Sequence, residues 1–96
     1  MKNKNEWLNE RAKNACEDCG LVYGEHYTKL AGGGYRFNHG NVMLVKETSG
    51  WELQQLCENS TGIRFISGSS NAMTFSEMTE FLGGMMAAAR LLKKDK

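Results

Sequence analysis

Glycine does all the punctuation in this chain, which has eleven glycines and no proline. Wherever the backbone must turn sharply or leave a helix, a glycine or an Asn-rich step has to allow it. The breaks at Gly20, Gly32–Gly34, Gly40, Gly50, Gly62 and Gly83–Gly84 divide 96 residues into short segments. That length makes one domain, residues 1–96, with a thin core. It buries only a little over ~60% of the surface that the unfolded chain exposes. Residues 1–4 and 94–96 are expected to be disordered. A core this small favours assembly with another copy, so a homodimer is one expectation.

The first periodic segment runs from Asn5 to about Asp18. Leu8, Ala12, Ala15, Cys16 and Cys19 recur at helical spacing, Asn5 serves as N-cap and Gly20 as the stop. The character then turns to β. One irregular strand is expected in Leu21–Leu30. Tyr35–Phe37 and Val42–Lys46 are expected to form a hairpin around the turn-prone Asn38–Asn41. Ser49 followed by Glu52 matches a capping box, which predicts a short helix from about Gly50 to Glu58 with Leu53, Leu56 and Cys57 on its apolar side. Ile63–Ile66 reads as a short strand. Thr74 with Glu77 forms a second capping box, and a helix follows from Phe75 to Lys93 with Phe75, Met78, Leu82, Met85, Ala89 and Leu92 on one side. The fold class is therefore α+β: a small antiparallel sheet of three or four strands, with an N-terminal helix, a short middle helix and a long C-terminal helix packed on it.

Composition removes several functions. Twelve Lys/Arg against eleven Asp/Glu leave a charge of +1, which argues against a dedicated polyanion binder. No apolar run reaches the ~20 residues of a membrane span. The polar start MKNKNEWLNE lacks the apolar stretch of a signal peptide, so a cytoplasmic location is expected. Three cysteines are too few for a disulfide scaffold.

Cys16 and Cys19 have the spacing of a zinc half-site, and His26 and His39 could complete four ligands. Two features weigh against it. The histidines stand thirteen positions apart, and both cysteines continue the apolar helix stripe, where thiols pack as small hydrophobes. Redox chemistry fares worse, because the end of a helix raises a thiol pKa. The glycine run lacks the Lys-Ser/Thr and the helix of a phosphate loop and serves as a flexible connection. The loop Gly68–Asn71 could hold an anion at the helix start, although capping explains the same residues. No nucleophile elbow or metal-binding helix occurs, so neither a catalytic residue nor a cofactor is expected.

Two binding readings remain. In the last helix Gly83-Gly84 costs about 1 kcal/mol per residue relative to alanine, which close approach to a neighbouring surface would offset. Either the approach lies within the monomer, or this helix is an interface. The second case makes Met78, Phe81, Met85 and Met86, together with Trp51, the candidate protein-binding residues. The alternative is a nucleic-acid-binding sheet face using Tyr35, Arg36, Lys46 and Arg64. Against it, the aromatic and basic residues alternate, which turns the rings toward the core and the charges toward water.

Two stretches, Thr48–Leu53 and Asn71–Leu92, resemble segments of short uncharacterised proteins carried by tailed phages and prophages. The resemblance covers roughly the C-terminal half and includes no catalytic or ligand motif. It implies a class: small accessory proteins that bind and block or redirect a host protein, anti-CRISPR proteins and other defence inhibitors among them. The expected function is a non-enzymatic protein-binding module acting by surface occlusion.

Overall fold

The computed structural model describes residues 3–60, 62–66 and 72–94. Its order is α1 (Lys4–Asp18), β1 (Tyr27–Lys29), β2 (Tyr35–Phe37), β3 (Val42–Glu47), β4 (Gly50–Leu56), β5 (Ile63–Phe65) and α2 (Phe75–Lys94). The fold is α+β, with two antiparallel sheets in place of one. The strands β1 and β2 pair only with each other, and β3-β4-β5 form the larger sheet.

Both long helices form where local signals place them. Asn3, rather than Asn5, caps α1: its side-chain oxygen accepts from the Glu6 N–H at 2.9 Å. Asn3 and Lys4 are thus ordered at the helix start, contrary to the expected disorder through residue 4, while residues 1, 2, 95 and 96 lie outside the described set. At the other end Gly20 adopts φ +78°. The Leu21 N–H donates to the Cys16 carbonyl and the Gly20 N–H to that of Glu17, the paired bonds of a Schellman cap. The predicted capping box of α2 forms reciprocally. The Glu77 N–H donates to Thr74 Oγ1 at 3.2 Å, and the Thr74 N–H donates to Glu77 Oε1 at 2.9 Å.

The middle helix does not form. Its residues are β4, paired with β3 through Leu44 opposite Leu53, and the supposed cap residues Thr48 and Ser49 are the tight turn joining the two strands. Leu53 and Leu56 mimic a helical stripe because they point to opposite faces of the sheet and both are buried. A strand covered on both faces loses its alternation. The expected hairpin of β2 with β3 is also replaced: β3 pairs β4, and β2 pairs β1 across the glycine run.

The two helices cover one face of the larger sheet. Leu8, Ala12, Ala15 and Cys16 of α1 meet Val42 and Leu44 of β3, Leu53 of β4, and Met78 and Leu82 of α2. Cys19, expected on the α1 stripe, is exposed. Trp7 meets Phe75 (5.6 Å between ring centroids), Arg11 Nε lies 3.5 Å from the Thr79 carbonyl and Cys19 Sγ 3.6 Å from that of Met85, so the helices run side by side in the same direction. Tyr23 fastens α1 to the sheet. Its hydroxyl donates to Asn9 Oδ1 at 2.6 Å and accepts from the Leu44 N–H at 3.1 Å.

Gly50 allows the chain to close on itself. Its φ is +151°, and a Cβ there would run into the Met73 carbonyl, which accepts from the Trp51 N–H at 2.8 Å. Gly84, by contrast, faces open space. Gly50→Ala should therefore lower the unfolding free energy by more than about 3 kcal/mol, through backbone strain and collision together. Gly84→Ala should raise it by about 1 kcal/mol through helix propensity alone. Urea titration of the two variants checks both signs.

Candidate functional site

The proposed interface on α2 is occupied by the chain itself. Met78 is fully buried, in the same layer as Leu82, because its position on the helix turns it toward the sheet. It is core, and no partner can reach it. Phe81, Met85 and Met86 are half-buried against that core. A Cβ on Gly83 would lie 3.0 Å from the Arg11 guanidinium, so the close approach that the glycine permits is to α1.

Trp51 is structural as well. Its Nε1–H donates to Asn5 Oδ1 at 3.1 Å, its ring centroid is 6.0 Å from that of Phe75, and the Lys46 ammonium sits 4.8 Å from the ring centre. Trp7, Phe75 and Trp51 form an aromatic group flanked by Arg11, Lys4 and Lys46 respectively, each cation within cation–π distance of its ring, with Trp7 still 40% exposed.

The candidate nucleic-acid residues do not share a face. Tyr35 and Arg36 lie on β2, Lys46 on β3 and Arg64 on β5, in two different sheets. Adjacent strand residues alternate sides, so Arg36 points away from the face that Tyr35 occupies.

Cys16 and Cys19 do not present a reactive pair. Burial, reinforced by nearby Cys19 and Glu17, pushes the Cys16 thiol up to about 11, which favours its neutral form. His26 is buried, and its Nε2–H donates to the Gln54 carbonyl at 3.1 Å. His39 Nδ1–H donates to the Cys57 carbonyl at 2.7 Å. A cleft of about 680 Å³ beside the end of β4 and the residues that follow it is lined by Gln55, Cys57, Glu58 and Arg64 among others. Within it the Gln55 side chain already donates to the Gly40 carbonyl at 3.0 Å.

The site that sequence reasoning missed is the β1–β2 hairpin. Ala31–Gly34 forms its turn, with the Leu30 N–H donating to the Gly34 carbonyl at 3.1 Å and with Gly33 and Gly34 at positive φ. The glycine run is thus a defined turn rather than a loose connection. Tyr27 stands opposite Phe37, and Lys29 opposite Tyr35. The Tyr27 centroid lies 5.3 Å from that of Phe37 and 6.4 Å from that of Tyr35, both edge-to-face. Tyr35 and Phe37 are expected from the alternation to face the core, yet they are 62% and 41% exposed, and Tyr27 beside them is 45% exposed. Among the described residues, neither strand makes close backbone contact with a helix or with a strand of the larger sheet. The three rings line a shallow cavity of about 370 Å³.

The base of the hairpin is pinned. The Asn38 N–H donates to the His26 carbonyl at 2.8 Å, and its Nδ2 donates to the Glu25 carbonyl and to Thr28 Oγ1. Asn41 Nδ2 also donates to the Glu25 carbonyl, and the buried His26 ring stands edge-on to Tyr27 at 6.3 Å. The signal was present in the chain: Tyr27 and Phe37 are equidistant from Gly32, as a hairpin about the glycine run requires.

No helix among the described residues is long and apolar enough to cross a membrane. No family model, curated protein or solved structure matches this chain.

The placement of the thiols has a chemical consequence. In the folded protein at neutral pH a maleimide should label the exposed Cys19 and spare Cys16, with intact-mass spectrometry and peptide mapping as the readout. The raised thiol pKa also sets a pH window. The stability linked to keeping that thiol neutral is complete below its ordinary value near 9 and is lost as pH rises through about 11. Thermal melts from pH 8 to 11.5 should show this alkaline loss, and it should be smaller in Cys16→Ala.

Proposed function

We propose that this chain is a non-catalytic protein-binding module whose contact surface is the β1–β2 hairpin, with Tyr27, Tyr35 and Phe37 as its anchors. It acts by covering a surface on a larger protein. The observation that carries this reading is the contiguous, uncovered group of three rings on a hairpin whose base is fixed by buried and hydrogen-bonded groups. Each such ring brings a large apolar area at low entropic cost, and tyrosine is over-represented among residues that dominate binding energy. A pre-ordered hairpin also spares the partner the cost of ordering it. The inhibitor class implied by the resemblance, anti-CRISPR-like proteins included, works by this kind of occlusion.

The placement of the basic residues favours a protein partner over single-stranded nucleic acid. A phosphate backbone needs a continuous basic track, whereas Arg36, Lys46 and Arg64 are divided between two sheets.

A photo-crosslinking amino acid substituted for Tyr35, expressed in the source cells, should attach to one polypeptide species that mass spectrometry identifies. Against that purified partner, Tyr35→Ala combined with Phe37→Ala should weaken binding by at least about 30-fold, the equivalent of about 2 kcal/mol. Circular dichroism should stay unchanged, because neither ring belongs to the core. Binding within twofold of the unsubstituted chain, or crosslinks to nucleic acid alone, would sink the reading.

A further inference from the structure

The β1–β2 ladder sorts backbone groups as well as rings. Leu30 donates to Gly34, and Asn38 to His26, so these are hydrogen-bonded pairs. In an antiparallel ladder such pairs alternate with pairs that exchange no bonds. Thr28 opposite Arg36 is therefore a bonded pair. Tyr27 opposite Phe37 and Lys29 opposite Tyr35 are not, and their N–H and C=O groups point outward from the two strands. On β2 the outward groups belong to Tyr35 and Phe37, the residues whose rings form the open face. All three β2 residues are exposed, and no further strand among the described residues pairs with this edge.

We propose that the free edge of β2 takes up an extended, acidic segment of the partner protein as an added antiparallel strand. This rests on the reading of the hairpin as a protein-binding surface and specifies how that surface is used. The N–H and C=O groups of Tyr35 and Phe37 supply four main-chain hydrogen bonds to the incoming strand. The incoming residues that make those bonds stand opposite Tyr35 and Phe37, so their side chains fall on the aromatic face. They must be apolar, to fill the cavity between the rings. The alternate residues fall on the Arg36 side. From Tyr27 through Asn38 the chain contains Lys29 and Arg36 and no Asp or Glu, so this stretch presents only positive charge. An incoming strand alternating apolar and acidic residues therefore matches the rings on one face and Arg36 on the other, and a basic strand is repelled.

The probe is a dodecapeptide of alternating valine and glutamate, titrated into the ¹⁵N-labelled full chain. Amide shifts should be confined to residues 25–41. At a tenfold excess of free peptide over its dissociation constant, exchange at the Tyr35 and Phe37 amides should slow by about tenfold. N-methylation separates the mechanisms. Methyl groups on the valine amides remove the donors that face β2 and should abolish binding, whereas methyl groups on the glutamate amides face away and should leave it within about threefold, as double-mutant tests of distant groups would allow. A version with lysine in place of glutamate should bind at least tenfold more weakly, about 1.4 kcal/mol. Absence of binding, equal binding of the valine-methylated peptide, or displacement of the peptide by oligouridylate at the same residues would overturn the strand-addition proposal. If the valine-methylated peptide binds equally and Phe37→Ala abolishes binding, the aromatic surface survives and only the strand pairing is lost. If partner crosslinks from position 35 also fail, both readings go.

Discussion

One thin apolar layer carries this fold: Leu44 and Leu53, paired across β3 and β4, lie beneath Leu8, Ala12, Ala15 and Cys16 of one helix and Met78 and Leu82 of the other. In so short a chain this layer is the main body of the core, and the Tyr23 hydroxyl and the Trp51 indole add hydrogen bonds from the sheet to α1. Small residues on α1 keep that layer close. Ala12 and Ala15 bring the helix down onto β3, and Gly83 lets Arg11 lie against α2. The methionines of α2 fill the remaining irregular space, a task suited to unbranched, pliable side chains. Their abundance is thus explained by internal packing.

Because that layer takes both helices, none is left to cover the smaller sheet. The β1–β2 hairpin is joined to the larger sheet through its base, where His26, Asn38 and Asn41 satisfy backbone carbonyls with side-chain donors. The outcome is a rigid base below an open apolar face. A solitary exposed ring would need no explanation, but three in contact on one hairpin are the observation on which the proposed contact surface rests.

The molecule contains two aromatic groups in different settings. In Trp7, Phe75 and Trp51, lysine and arginine side chains lie over the rings, although Trp7 stays 40% exposed, and the Trp51 indole N–H is committed to Asn5. That group holds the starts of α1 and α2 to β4. Among the described residues, the ring contacts of Tyr27, Tyr35 and Phe37 are with one another and with the neighbouring histidines. Composition cannot distinguish the two groups, since each joins aromatic residues with nearby basic ones.

The sequence by itself determined the two helices, the stop of α1, the cap of α2 and the position of most strands, because those signals are local. Thr74 reaches Glu77 and Gly20 releases α1 within a few residues, whereas the choice of Asn3 over Asn5 as the α1 cap was decided by the structure. Strand partners are a different kind of quantity. Whether Val42–Glu47 pairs with Tyr35–Phe37 or with Gly50–Leu56 depends on which arrangement buries Leu44 and Leu53 beneath the helices, and no short window contains that comparison. The same holds for exposure: alternation shows that Tyr35 and Phe37 share a face, but only the tertiary arrangement decides whether another layer lies over it. Here both helices were already bound to the larger sheet, and the aromatic face was left to water.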